Sequence, residues 1–121
     1  MRESGENYLE TFLILKARNG SVRSVDVASE LGYTKASISR AISTLREQGY
    51  VTMAEDGELE FTQLGQETAE AVYERHRYLT KFLSMSLGVD EETASRDACR
   101  IEHVISQDVF DAVKAYVEGT S

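Results

Sequence analysis

Two amphipathic helical patterns joined by a glycine-containing turn constrain the possible folds of this chain most strongly. Ser24 is expected to cap a short first helix that closes at Gly32, with apolar residues Val25, Val27, Ala28 and Leu31. Thr34 is expected to cap a second helix that runs to Gln48. Its apolar residues recur at spacings of three and four and are Ile38, Ala41, Ile42 and Leu45. Two helices in this arrangement predict a helix-turn-helix.

A β-hairpin pattern follows the second helix directly. Residues 50–53 lead into Asp56-Gly57, a dipeptide favoured in tight hairpin turns, and Leu59 and Phe61 alternate on the far side. A helix-turn-helix followed at once by a hairpin predicts a winged helix, an architecture that often binds DNA.

The rest of the chain is predicted to be helical. Thr62 is expected to cap a long helix that ends near Leu87, with an inner row of Leu64, Thr68, Val72, His76, Leu79 and Leu83. Asp90 is expected to cap the next helix, and Ser106 is expected to start the last one. Val109, Phe110, Val113 and Tyr116 of that last helix are expected in or beside a two-fold interface.

These patterns predict a mainly α fold with two domains. An N-terminal winged helix-turn-helix over residues 1–64 begins with an amphipathic helix over residues 6–17. An all-helical domain over residues 65–121 follows it. The sequence has no proline, which suits helices joined by short turns.

Charge is distributed unevenly along the 121 residues, whose net charge is −8. Residues 1–50 have a balance of +1, whereas residues 51–121 have a balance of −9. Binding to phosphates depends on the local charged face, so the overall negative charge does not exclude DNA. No apolar run is long enough to span a membrane, which predicts a soluble, cytoplasmic protein without a membrane partner. A single cysteine excludes an intramolecular disulfide.

The outward face of the second helix of the helix-turn-helix is the predicted DNA contact. Its candidate residues are Thr34, Lys35, Ala36, Ser37, Ser39, Arg40 and Ser43. Lysine and arginine neutralise phosphates, and short hydroxyl side chains donate to phosphates or base edges. The alternative is that Lys35 and Arg40 are ordinary solubilising charges on a solvated helix.

A second constellation combines the only cysteine with a glutamate and a histidine. Cys99, Glu102 and His103 stand at i, i+3 and i+4, which on a helix places them within an arc of about 100°. A thiolate, a carboxylate and an imidazole from one helix can form most of the coordination sphere of a transition metal. The alternative for Cys99 is a small buried hydrophobic residue.

With its motif Ala98-Cys99-Arg100-Ile101-Glu102-His103-Val104-Ile105-Ser106, the chain resembles the diphtheria-toxin-repressor family over nearly its whole length. The resemblance implies a homodimer in which Fe²⁺ or Mn²⁺ fixes the spacing of two recognition helices over a palindromic operator. Such proteins repress metal-uptake genes when metal is plentiful. The resemblance is to the short form of the family, so we expect no SH3-like domain of the kind that many iron-type members have.

The resemblance also implies a ligand set. Cys99, Glu102 and His103 fall on primary-site positions of the iron-type branch, whereas the manganese-type branch has a glutamate in place of Cys99. His76 matches a histidine that both branches use. Glu10 matches a manganese-type ligand.

Three further positions depart from the iron-type pattern. Asn7 stands where that branch has Met and the manganese type has Asp. Thr80 and Ser95 stand where the iron type has two additional ligands, so its ancillary site cannot form in the same way.

Ligand chemistry gives a preference among metals. A thiolate is softer than a carboxylate, so we expect Fe²⁺ first and Mn²⁺ second, with Zn²⁺, Co²⁺ or Ni²⁺ as surrogates.

Two other functions are alternatives to a metal-dependent repressor. One is a winged-helix regulator without metal dependence, in which the Cys99 cluster is structural. The other is a metalloenzyme, which we do not expect because no nucleophile, general base or substrate cleft stands out beyond the ligands. No small-molecule substrate is expected.

Overall fold

The fold is described by a computed structural model over residues 3–120. Its elements in chain order are α1 (Glu3–Asn19), β1 (Val22–Arg23), α2 (Ser24–Leu31), α3 (Lys35–Glu47), β2 (Val51–Met53), β3 (Glu58–Phe61), α4 (Gln63–Leu87), α5 (Glu91–Ile101) and α6 (Gln107–Thr120). The prediction of a mainly helical fold with an N-terminal winged helix-turn-helix is confirmed. Among the described residues, no helix combines the length and the apolar character that crossing a membrane requires.

The chain divides into two compact units, Met1–Glu70 and Ala71–Ser121, and the boundary between them falls inside α4. The division into domains at residues 1–64 and 65–121 stays a prediction.

The helix-turn-helix of the first unit is α2 and α3. Gly32 ends α2 with a left-handed φ of +71°, a conformation that glycine adopts without steric penalty. Thr34 caps α3, and its Oγ1 accepts a hydrogen bond from Ser37 N at 3.1 Å. The expected cap of α2 is wrong by one residue. Ser24 is the first residue of that helix, and the cap position belongs to Arg23.

A three-stranded antiparallel sheet completes the first unit, in the order β1-β3-β2. The hairpin of β2 and β3 was predicted, whereas β1 was not, because two residues are too few to show alternation. Helices and sheet share one core, whose members include Leu9, Phe12, Val27, Ile38, Ile42, Leu45, Val51 and Leu59.

Helices α5 and α6 and the later part of α4 form the second unit around a core of Leu79, Ala98, Val113 and Val117. Phe110 and Val113, expected at a two-fold interface, are buried within this unit, at 4% and 7% exposure. Val109 and Tyr116 from the same helix are 53% and 44% exposed. Of these four residues, Val109 and Tyr116 are the two whose side chains expose enough surface to contact a partner subunit.

Helix α4 begins in close contact with the preceding hairpin. Thr62 Oγ1 accepts from Gly65 N at 3.1 Å, as its predicted capping role requires. Gly65 packs so tightly that a Cβ atom there would lie 1.9 Å from Tyr50 O. Leu64, predicted on the inner row, is instead 49% exposed, because the residue that faces the hairpin in this first turn is Gly65.

We expect Gly65→Ala to lower the free energy of unfolding by about 1–3 kcal/mol, because the added methyl group must displace a backbone carbonyl. Gly119→Ala is the matched control, since this helical glycine has nothing within 4 Å of the added Cβ. Alanine should raise helix stability there by up to about 1 kcal/mol. Urea denaturation of the two variants checks the prediction, and equal stabilities would contradict it.

Candidate functional site

The outward face of α3 consists of side chains left exposed when the apolar side of the helix is buried. Ile38, Ile42 and Leu45 are at most 3% exposed and fix the orientation of α3 in the core. The opposite side presents the predicted DNA contacts, all exposed except the partly buried Ser37: Thr34, Lys35, Ala36, Ser37, Ser39, Arg40 and Ser43. Their role in DNA binding stays a prediction.

Ion pairs in the first unit distinguish the α3 cations from neighbouring ones. Lys16 lies 3.3 Å from Glu60, and Arg23 lies 3.5 Å from Asp56, so two carboxylates of the hairpin are paired with cations from α1 and β1. Among the residues that the structure describes, neither Lys35 nor Arg40 forms an ion pair. Their positive charge is therefore not offset by a nearby carboxylate.

Arg46 is a further exposed cation of α3 that the sequence reasoning missed. It continues the exposed row of Ser39 and Ser43 at the next helical spacing. That i+3 relation to Ser43 was visible in the sequence and could have identified it.

The second unit contains a buried carboxylate between two imidazoles. Glu102 is 1% exposed, and its Oε2 accepts a hydrogen bond from His76 Nδ1 at 3.0 Å. His103 Nε2 lies 3.3 Å from Glu102 Oε1, but this pair lacks hydrogen-bond geometry. Within the described part of the chain, Oε1 has no hydrogen-bond partner. A buried carboxylate oxygen without a hydrogen bond lowers the stability of the protein unless water, a ligand or an ion contacts it.

His76 is positioned by contacts on both ring nitrogens. An ionised carboxylate can only accept, so Nδ1 donates to Glu102, while Nε2 lies 3.2 Å from Ser95 Oγ. Thr80 Oγ1 donates to the backbone carbonyl of His76 at 2.7 Å. Thr80 and Ser95 thus both contact His76.

The predicted placement of Cys99, Glu102 and His103 on one helix is wrong in detail. Helix α5 ends at Ile101, with Glu102 as its cap residue and His103 in the turn that follows. The chain leaves the helix where both Val104 N and Ile105 N donate to Ile101 O, each at 3.0 Å. Cys99 lies within α5 and is partly buried.

The donors of the second unit fit a divalent cation. Carboxylate oxygen and imidazole nitrogen suit Fe²⁺ and Mn²⁺, and the side chain of His103 is only 2% exposed. The unsatisfied Glu102 Oε1 is the atom that a cation would complete. The two other predicted ligands belong to α1 of the first unit, where Asn7 is partly buried and Glu10 is 6% exposed.

Comparison with known proteins decides the family. Residues 1–59 match the sequence profile described as iron dependent repressor, N-terminal DNA binding domain. Residues 62–120 match the profile described as iron dependent repressor, metal binding and dimerisation domain. The chain belongs to the iron dependent repressor family. This confirms the resemblance found in the sequence, and it assigns the chain to a family of transcriptional regulators rather than enzymes.

Relatives in this family align with nearly all of the chain. It is 34% identical over 122 residues to the transcriptional regulator MntR of Salmonella typhimurium, covering 99% of this chain and 77% of that protein. It is 30% identical over 119 residues to an uncharacterized HTH-type transcriptional regulator of Methanocaldococcus jannaschii, covering 98% and 95%.

A solved structure of a manganese-dependent transcriptional repressor in complex with manganese is also similar. It has a TM-score of 0.83 and 27% identity, with 94% of this chain covered. The chain spans about half of that structure, 52% of its length.

We expect Glu102→Gln to raise the unfolding free energy of the metal-free protein by on the order of 1 kcal/mol, because it removes a buried charge. The amide oxygen can still accept from His76. Urea denaturation in the presence of a chelator measures the effect.

Glu74→Gln is the control, since Glu74 pairs with Lys114 at 2.9 Å and both side chains are more than a third exposed. A small decrease in stability is expected for this variant. If Glu102→Gln also destabilised the metal-free protein, the carboxylate would be a structural group.

Proposed function

We propose that this chain is a metal-dependent transcriptional repressor of the cytoplasm. It binds operator DNA as a homodimer when loaded with Fe²⁺ or Mn²⁺, and it controls genes of metal-ion homeostasis. The observation that carries the proposal is the buried Glu102 carboxylate, which has one oxygen without a hydrogen bond and two imidazoles within 3.3 Å. A repressor without metal dependence has no need for such a group.

The exposed face of α3 supplies the DNA contacts in this proposal. Lys35 and Arg46 neutralise phosphates, and Arg40 reads a guanine edge in the major groove. Three serines of this face, Ser37, Ser39 and Ser43, donate to phosphates or base edges. The N-terminal end of the helix enters the groove first, and the exposed Thr34 and Ala36 lie at that end. The absence of ion pairs at Lys35 and Arg40 supports this assignment.

Glu102, His76 and His103 hold the metal from the second unit, and Cys99 is proposed as a fourth donor. When bound, the cation supplies positive charge that offsets the buried carboxylate. Glu102 orients the imidazole of His76 through its Nδ1, and Nε2, which lies 3.2 Å from Ser95 Oγ, would exchange that contact for the cation. Asn7 and Glu10 are proposed as additional ligands on the strength of the sequence resemblance alone.

We propose Fe²⁺ as the favoured metal and Mn²⁺ as the second. The thiolate of Cys99 supports iron. The family profiles carry the word iron, whereas the similar solved repressor is described with manganese, so a response to either ion is consistent with the relatives.

One observation favours the alternative of a metal-independent regulator. Both ring nitrogens of His76 have partners in the protein, at 3.0 and 3.2 Å, so the His76–Glu102 pair can persist as a structural contact. Operator binding by the metal-free protein distinguishes the two functions. Equal affinity with and without metal would support the alternative.

For DNA binding, we expect Arg40→Ala to weaken operator affinity by about 1–3 kcal/mol and to relax sequence preference. Lys35→Ala should weaken binding to all sequences. It should also reduce the slope of log affinity against log salt concentration by about one, which corresponds to the loss of one phosphate contact. The operator can be selected from random duplexes with the metal-loaded protein.

Lys16→Ala is the matched control for these variants, because it removes the same charge from a residue already paired with Glu60. It should change operator affinity little, and metal affinity should be unaltered in all three variants. Unchanged binding in both α3 variants would show that this face does not contact DNA.

For the metal response, operator binding is titrated separately with Fe²⁺ under anaerobic conditions, Mn²⁺ and Zn²⁺. His103→Ala and Glu102→Ala should each abolish metal-stimulated binding, because each removes a donor. Cys99→Glu should shift activation from Fe²⁺ toward Mn²⁺, because it replaces a soft ligand with a hard one.

Cys99→Ala is the control for this shift, since it removes the thiolate without adding a carboxylate. It should weaken the Fe²⁺ response without improving the Mn²⁺ response. If Cys99→Glu responds to both ions as the parent does, Cys99 does not determine selectivity.

A further inference from the structure

Arg75 precedes His76 in α4 and directs its guanidinium toward the segment that joins α5 to α6. Its Nη1 donates to Ile105 O at 2.9 Å and to Glu102 O at 3.3 Å. Its Nη2 donates to Gln107 Oε1 at 2.9 Å, and its Cζ lies 5.4 Å from the centroid of the Phe110 ring. A single side chain therefore contacts both ends of the connecting segment.

These hydrogen bonds meet a local need of the backbone. Because α5 ends at Ile101, the carbonyl groups at and after its end have no amide donors from a continuing helix. A cationic donor there satisfies those carbonyls and interacts favourably with the negative end of the helix dipole. The guanidinium of Arg75 meets this need with Nη1, which bonds both carbonyls of the turn, while Nη2 bonds Gln107 just beyond it.

The residues of this turn differ in their packing. Ile105 packs against the core of the second unit, whereas Val104 is 74% exposed and adds little packing. Within the turn, the amides of Val104 and Ile105 share the carbonyl of Ile101 as acceptor. Arg75 is the residue that ties this turn to α4 through hydrogen bonds to its backbone.

Glu102 is consequently fixed at two points by consecutive residues of α4. His76 bonds its carboxylate at 3.0 Å, and Arg75 bonds its carbonyl at 3.3 Å. The shorter bond of Arg75 is to Ile105, at the far end of the turn. The turn that contains Glu102 and His103 is therefore held at both ends against the helix that contains His76.

We propose that Arg75 is a positioning residue for the metal site. By fixing the turn over residues 102–105, it keeps Glu102 and His103 converged with His76 and so sets the affinity and geometry of metal binding. This inference rests on the proposed function of the same site. Groups that orient metal ligands typically change metal affinity by 10–100-fold when they are removed.

The test uses Co²⁺ as the probe, because its visible absorption bands report coordination geometry directly. Arg75→Gln should weaken Co²⁺ binding by about 10–100-fold and alter the bands. Arg75→Lys should recover part of the affinity, since an ammonium can donate to the turn carbonyls but cannot bond Gln107 at the same time in the fixed planar geometry of a guanidinium. In the metal-free protein, the Val104 and Ile105 amides of Arg75→Gln should exchange hydrogen faster than those of the parent.

Lys114→Gln is the matched control, because it removes the same charge and also breaks a contact between α6 and α4. Lys114 Nζ lies 2.9 Å from Glu74 Oε1 and 5.4 Å from the centroid of the Tyr78 ring. The hydrogen bond with Glu74 raises the pKa of Lys114, and within the part of the chain that the structure describes neither side chain bonds the backbone of the 102–105 turn. This variant should lower Tm while leaving the Co²⁺ affinity and bands unchanged.

The outcomes separate this inference from the function on which it rests. Absence of Co²⁺ binding in the parent, or full binding in Glu102→Ala, overturns the proposed metal function and the inference with it. Parent-like affinity and bands in a folded Arg75→Gln protein overturn the inference alone. If Arg75→Gln does not fold, Arg75→Lys decides: weakened Co²⁺ binding with altered bands supports positioning, and parent-like values overturn it.

Discussion

The burial of the Glu102 carboxylate is the constraint on which the chemistry of the second unit depends. A carboxylate at 1% exposure must be compensated by donors or by positive charge. The protein supplies one hydrogen bond to Oε2 from His76 and none to Oε1 within the described residues. This incomplete compensation suits a ligand better than a structural residue. In the proposed function, a bound cation supplies the stability that the group lacks in the metal-free state.

Charge is arranged differently in the first unit, where Lys16 and Arg23 pair with carboxylates of the hairpin but Lys35 and Arg40 form no ion pair with any described residue. The hairpin has four acidic residues, and the ion pairs of Glu60 with Lys16 and of Asp56 with Arg23 use cations that could otherwise meet phosphates. In the proposed function, the favourable electrostatic interaction with DNA is concentrated on α3, at Lys35, Arg40 and Arg46. Contacts of these residues with phosphates would position the helix, and contacts with base edges would specify the sequence.

The order of the main elements could be predicted from the sequence, because helix caps and hydrophobic periodicity depend on residues close together in the chain. The predicted caps are confirmed: Thr34 and Thr62 each accept a hydrogen bond from an amide in the first turn of the helix that follows, and Gly32 ends α2. Strand β1 and the exposure of Leu64 could not be predicted, because both depend on packing between distant residues. Of the metal site, the residue types were evident from the sequence. The end of α5 before His103 was not, since two carbonyls of the turn that follows accept hydrogen bonds from Arg75, 27 and 30 residues away.

Arg75 also shows why a ligand motif is not a complete description of a site. Cys99, Glu102 and His103 can be found from spacing, but that spacing determines a geometry only if the backbone between them has one conformation. The backbone leaves the helix within this motif, and in our proposal Arg75, which lies outside the motif, fixes that conformation. Arg75 and His76 are adjacent in α4, and one holds the turn while the other contacts its carboxylate. A change in the position of α4 would therefore move both the proposed ligand His76 and the guanidinium of Arg75 that bonds the turn. Helix α4 is in that sense as important to the proposed site as the motif itself.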